Sequence, residues 1–225
     1  MTSFEFETEA VANHSSVDSV KASAPNRLDV ERARGGSLSI LVVDVPWLEG
    51  ADYAGMLQEA TWVDLTVNPG LRHHNSGWAR AIGRDQGKPV FTHGELMASL
   101  LREDAAEYEE PQMVWARDGL AQHGRVTHVT ELCERVIHVT RNGLSDVDVV
   151  VAEVYSLGAA DVTKILRQHP DAAAILNMNS YSQYTHEAKQ QARHSGVGLF
   201  TWGELFGALN FEGSRFLDYA LKGRG

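Results

Sequence analysis

Apolar residues fall along this chain in short dense runs separated by stretches of helical spacing. Residues 38–45, Leu-Ser-Ile-Leu-Val-Val-Asp-Val, form a continuous apolar and β-branched run, the pattern of a strand buried on both faces. Residues 52–60 place Tyr53, Met56, Leu57 and Ala60 on one helical face. Residues 63–68 predict a second strand, closed by Pro69-Gly70. Residues 77–85 predict a helix with Trp78, Ala81 and Ile82 inward, stopping at Gly87, where a left-handed backbone costs a glycine least. Residues 88–92 and 94–101 complete a third strand and a third helix. The same grammar returns later, with strands at 147–154, 173–179 and 197–201 and helices at 160–168, 185–194 and 203–209.

The two series are related. Residues 40–100, shifted by 109 positions, align on 149–209 without a gap, and 16 of the 61 pairs are identical. Average composition gives on the order of four by chance. The clearest block sets Phe91-Thr92-His93-Gly94-Glu95-Leu96 against Phe200-Thr201-Trp202-Gly203-Glu204-Leu205. Matches at a fixed offset that include loops indicate duplication. The expectation is an α/β fold of two tandem homologous βαβαβα Rossmann-like units forming one pseudo-symmetric parallel sheet.

Outside the repeats the pattern weakens. Residues 1–36 hold isolated apolar residues among polar ones, which predicts a disordered tail ending at Gly35-Gly36. The remaining boundaries follow: a first repeat at 37–101, a connecting segment at 102–146, a second repeat at 147–209 and a C-terminal tail or helix at 210–225. Within the connecting segment, residues 125–141 fit either a helix or a strand, leading into the turn signal Asn142-Gly143.

Composition narrows the chemistry. Twenty basic and 30 acidic residues leave a net charge of −10, so nucleic acid would need a local basic patch. One cysteine, Cys133, excludes an internal disulfide and a multi-cysteine zinc site, and makes reducing cytoplasm the default compartment. No apolar run is long enough to span a membrane, and the acidic N-terminus does not look like a secretory signal. Neither Pro46-Trp47-Leu48-Glu49-Gly50 nor Tyr155-Ser156-Leu157-Gly158 offers the glycines of a dinucleotide loop, and there is no phosphate-binding loop or serine elbow. Ten histidines invite a metal, but His73-His74 and the Glu131, Cys133, His138 group lack a convergent third or fourth ligand, so no metal site is expected.

In a doubly wound sheet, ligands sit beyond the carboxyl ends of the strands where the strand order reverses. Asp44 and Glu153, equivalent under the repeat, occupy those ends, and the identical Asn68 and Asn177 end the second strands. These four are the candidate ligand-binding residues. Tyr181 and Tyr184, with Asn177, Asn179 and Gln183, add a polar aromatic loop suited to stacking.

Residues 149–155 (Val-Val-Val-Ala-Glu-Val-Tyr), 174–177 (Ala-Ile-Leu-Asn), the Thr185-His186-Glu187-Ala188 helix start and Gly196-Val197-Gly198-Leu199-Phe200 carry a resemblance. Residues 146–209 resemble the C-terminal half of Mrr-type restriction endonuclease-like domains. There a strand bearing Glu-x-Lys is followed by helix, strand, a Thr-x-x-Ala helix and a final strand. The resemblance implies a magnesium-dependent nuclease with Glu153 at the Glu position and Asp146 or Asp148 as second acid, although the family carries that acid on an earlier strand. Tyr155 stands where the lysine belongs, and a neutral phenol cannot replace its charge. Lys164 on the next helix is the alternative cation. With this motif incomplete, the expectation is a non-catalytic binding or regulatory protein. It would need no cofactor and would recognise a small ligand, nucleotide or protein partner, with homo-oligomerisation open. A magnesium nuclease with a rearranged site is the alternative.

Overall fold

Thr2 and Glu5 open the first element. Thr2 N donates to Glu5 Oε2 at 2.7 Å and Glu5 N donates to Thr2 Oγ1 at 3.1 Å. This capping box starts α1 (Ser3–Ala12), which buries Glu7 and Val11. A meander of β1 (Val17–Ala24), β2 (Arg27–Arg32) and β3 (Ser37–Val42) follows. Then come β4 (Trp47–Leu48), α2 (Gly50–Glu59), β5 (Leu65–Val67), β6 (His74–Asn75), α3 (Gly77–Asp85), β7 (Val90–Phe91) and α4 (His93–Ser99). The second unit repeats the series as α5 (Pro111–Ala121), β8 (Val126–Cys133), β9 (Val136–Arg141), β10 (Val147–Ala152), β11 (Ser156–Leu157), α6 (Ala159–Gln168), β12 (Ala174–Asn177), β13 (Gln183–Tyr184), α7 (His186–His194), β14 (Gly198–Thr201) and α8 (Trp202–Ala208). It ends with α9 (Gly213–Leu217). This computed structural model describes residues 2–70, 73–179 and 183–220.

The single parallel sheet expected from the sequence does not form. The described residues make two separate five-stranded sheets, ordered β1-β2-β3-β5-β7 and β8-β9-β10-β12-β14. In each, the first three strands pair antiparallel and the last three parallel. The chain accordingly divides into Met1–Glu110 and Pro111–Gly225. The duplicated block is therefore longer than the matched residues suggest. Residues 1–36, expected as a tail, supply α1, β1 and β2. Residues 102–146, expected as a connection, supply α5, β8 and β9 at the same offset of 109: β1 and β2 at 17–24 and 27–32, β8 and β9 at 126–133 and 136–141. The antiparallel hairpin caps the open side of β3 and of β10, so neither is free to neighbour the other in a common sheet.

The parallel half of each sheet is covered on both faces, which explains the continuous apolar runs of β3 and β10. In the first unit Ile40, Val42, Leu65 and Val67 pack with Val11 of α1 and Leu96 of α4, while Leu41 and Val43 pack with Tyr53 and Leu57 of α2 and Ala79 of α3. In the second unit Val149, Val151 and Leu176 pack with Met113, Ala116 and Leu120 of α5 and Leu205 of α8; Ile175 and Leu199 pack with Val162 of α6 and Ala188 of α7. The β1–β2 and β8–β9 hairpins leave one face to water, and no residue of β1 is buried. No helix among the described residues is long and apolar enough to cross a membrane.

Candidate functional site

Both units build the same device at the carboxyl ends of their parallel strands. Asn177, at the end of β12, is buried. Its Nδ2 donates to Val154 O at 2.8 Å and its Oδ1 accepts from Val154 N at 3.0 Å. Asn68 repeats this on Val45, donating to its O at 3.0 Å and accepting from its N at 3.3 Å. An amide is the side chain that can satisfy a neighbouring backbone N–H and C=O together. Each asparagine therefore clips the chain leaving the third strand of its sheet. That accounts for the identity of these two residues; Asn68 Nδ2 also donates to Asn75 Oδ1 at 3.2 Å.

The clip in the first unit positions Asp44. Its carboxylate is 59% exposed, with Oδ1 3.5 Å from His73 Nδ1, the same nitrogen that lies 3.2 Å from Asn68 Oδ1. Asp44 lines a cavity of about 690 Å³. The walls are the end of β3, the Pro25-Asn26 turn of the β1–β2 hairpin, the first turn of α1 and the last turn of α2. Val42 N donates to Asn26 O at 2.9 Å, which fixes the turn against the strand end. The charged lining residues are Glu5, Asp44 and Glu59, and none is basic.

Glu153 holds the matching place after β10 and is exposed, with Tyr155 beside it at 72% exposure. Since β3 and β10 lie in different sheets, the expected crevice shared by Asp44 and Glu153 along one seam has no basis. The other nuclease candidates sit elsewhere. Asp148 is the cross-strand partner of His138. His138 Nδ1 lies 2.6 Å from Asp148 Oδ1 and its Nε2 lies 3.2 Å from Asp146 Oδ2. The hydrogen bond to Asp148 holds the imidazole pKa above its ordinary value. Five residues at the usual rise separate Asp148 from Glu153 by roughly 16 Å along the strand direction. Lys164 is exposed on α6. The four nuclease candidates are thus split between the two ends of β10 and a helix surface.

Sequence reasoning passed over the turn between β8 and β9. Val151 N donates to Arg135 O at 2.8 Å, so Glu134-Arg135 lies opposite the end of β10, as Pro25-Asn26 does for β3. Arg135 Nη1 is buried and has no hydrogen-bond partner among the described residues. The signal was the pair of alternating stretches at 126–133 and 136–141 flanking two polar residues.

A second repeated cluster ties α4 of the first unit and α8 of the second to their sheets. Thr92 and Glu95 form a capping box, and Glu95 takes Arg80 through two bonds of 3.2 and 2.8 Å in a buried pair. In the second unit Glu204 accepts from Tyr184 Oη at 2.7 Å, and Lys189 stands at the arginine position. Lys189 Nζ donates to Leu199 O and to Tyr219 O and lies 4.3 Å from the Phe200 ring centroid. Burial lowers its pKa to about 8, against the opposing pull of Glu204 and Asp218. Of the stacking loop, Tyr184 is engaged in this cluster, while Tyr181 lies outside the described residues. Of the histidine and cysteine groups, Glu131 pairs with Arg117 at 3.0 Å and Cys133 packs in the core with Val136 and Val150.

No family model, no curated protein and no solved structure matches the chain.

Proposed function

We propose that the chain is a non-catalytic binding or regulatory protein made of two copies of a restriction endonuclease-like unit, and that the cavity beside Asp44 is its ligand site. The carrying observation is that cavity: a pocket of about 690 Å³, within the range of small-molecule sites, at the carboxyl end of the third strand. Its three carboxylates, with no basic side chain, favour a neutral or cationic ligand over a phosphate-bearing nucleotide. The nuclease-like ancestry rests on the Mrr-type resemblance of residues 146–209. The meander ahead of β10 adds the earlier strands on which that family carries its second acid.

The dispersal of Asp146, Asp148, Glu153 and Lys164 argues against catalysis. One observation favours the alternative: Val151 N donates to Arg135 O, so the β8–β9 turn sets an acid, Glu134, and a cation, Arg135, beside the end of β10 that precedes Glu153. A thermal-shift panel of amines, neutral nucleosides and nucleoside di- and triphosphates tests the primary reading. Stabilisation by an amine or nucleoside that disappears in Asp44→Ala is expected. A phosphate-bearing ligand as the Asp44-dependent hit, or hits indifferent to Asp44→Ala, would overturn it.

A further inference from the structure

Helices α5 and α8 of the second unit form a groove of about 560 Å³ walled by Trp115, Trp202 and Phe206. The rings make a row. Trp115 and Trp202 centroids are 4.1 Å apart, Trp202 and Phe206 are 5.9 Å apart, and Phe206 continues to His123 at 4.6 Å. Trp202 is seated over Gly119, where a Cβ would come within 2.6 Å of the indole. Trp115 remains 51% exposed. At the matching positions the first unit carries Phe6, His93 and Met97, so the row of indole and phenyl rings belongs to the second copy alone. Among the described residues neither indole N–H of this pair has an acceptor. The charged residue on the groove is Asp118, 59% exposed. Asp118 pairs with Arg117 at 3.0 Å, and Arg117 also reaches the buried Glu131 at 3.0 Å.

We propose that this groove docks a proline-rich segment in the polyproline II conformation, with a basic residue beside Asp118. A polyproline II chain makes no internal hydrogen bonds, so its carbonyls are available to the two indole N–H groups, and its pyrrolidine rings are flat apolar plates that pack on aromatic faces. The arrangement of the rings selects an extended occupant. A compact cation is best held by rings set around a point, whereas these touch in succession, each ring meeting the next. The helical side of the groove from Pro111 to Gln122 is about 16 Å long at 1.5 Å per residue. About five residues of polyproline II cover that length at 3.1 Å each. Asp118 adds the charge preference, selecting a lysine or arginine flank and disfavouring an acidic one.

The test is titration of the full chain with a ten-residue proline-rich peptide carrying one arginine, followed by tryptophan fluorescence. Saturable binding is expected. Trp115→Ala should weaken it by about tenfold, as truncation of a central aromatic anchor does. Asp118→Asn should weaken it by about threefold and flatten its dependence on salt. The same peptide with alanine for proline should not bind. No saturable change up to millimolar peptide, equal binding of the alanine peptide, or binding indifferent to Trp115→Ala would overturn the proposal. So would self-association of the protein that Trp115→Ala abolishes, which would assign the groove to a second copy. Should Trp115→Ala fail to fold, Asp118→Lys on the surface replaces it, with loss of binding expected and unchanged binding overturning.

Discussion

Replacing Asn177 by alanine separates a structural clip from a ligand contact. The substitution removes at least the two hydrogen bonds, of 2.8 and 3.0 Å, that the amide makes to the C=O and N–H of a single residue, Val154. A net contribution of about 1 kcal/mol each puts the loss near 2 kcal/mol, since Val154 is half-buried and water can reach only part of what is orphaned. For a unit of this size that is a fall in Tm of roughly 8 °C. The assay is urea denaturation followed by far-ultraviolet circular dichroism, with tryptophan emission from both units as a second probe. Asn177→Asp sharpens the test. It keeps the acceptor for Val154 N but sets a carboxylate against Val154 O. It should therefore cost at least as much at pH 7 and recover part of the loss in acid, where a protonated carboxyl donates. A loss below about 0.5 kcal/mol for Asn177→Ala, the level of an ordinary surface substitution, would refute the clip.

Three further outcomes follow from buried or paired ionisable groups. The hydrogen bond to Asp148 raises the folded pKa of His138 above the unfolded one; its contribution is complete below about pH 6.5 and is lost as pH rises through the folded value. Unfolding curves of wild type and His138→Asn should therefore converge as pH rises above neutrality, and a constant gap would contradict the assignment. Burial raises the pKa of Glu7, whose Oε1 lies 2.7 Å from His93 Nδ1, so the charged carboxylate weighs against the fold at neutral pH. Glu7→Gln should raise the Tm at pH 7 and lose that advantage near pH 4; a lower Tm at pH 7 would count against it. Lys189, lowered to about 8 by burial, binds its proton more tightly in the unfolded chain. Stability should accordingly rise between about pH 8 and 10.5 in wild type relative to Lys189→Met, and parallel pH profiles would contradict this.

The parallel halves of both sheets were legible because β3, β5, β10 and β12 are covered on two faces and so appear as unbroken apolar runs. The hairpins were not. β1 is Val-Asp-Ser-Val-Lys-Ala-Ser-Ala with no buried residue, and a strand wet on one face and at an edge needs no apolar run to announce it. Helix α1 hid for a related reason, since one of its two fully buried positions is Glu7, where the second unit has Ala116. The missing strands changed the topology. Without β2 and β9 capping β3 and β10, the two repeats looked free to share a sheet. In the site, Asp44 and Glu153 follow β3 and β10, which stop at Val42 and Ala152, short of the ends at 45 and 154 that the apolar runs suggested. Asn68 and Asn177 drew attention by their identity, but identity within a duplication marks any shared demand, and here the demand is a backbone N–H and C=O. The Glu134-Arg135 turn escaped notice because 125–141 fitted two secondary structures, and only strand pairing resolves them.

On the proposed reading the second unit lacks the convergent acids and cation of a nuclease, and the protein binds rather than cuts. Incubation of the purified full chain with supercoiled plasmid and with RNA, in magnesium and in manganese, puts this most directly at risk. Both substrates should remain intact at stoichiometric protein. Cleavage that disappears in Glu153→Ala would contradict it.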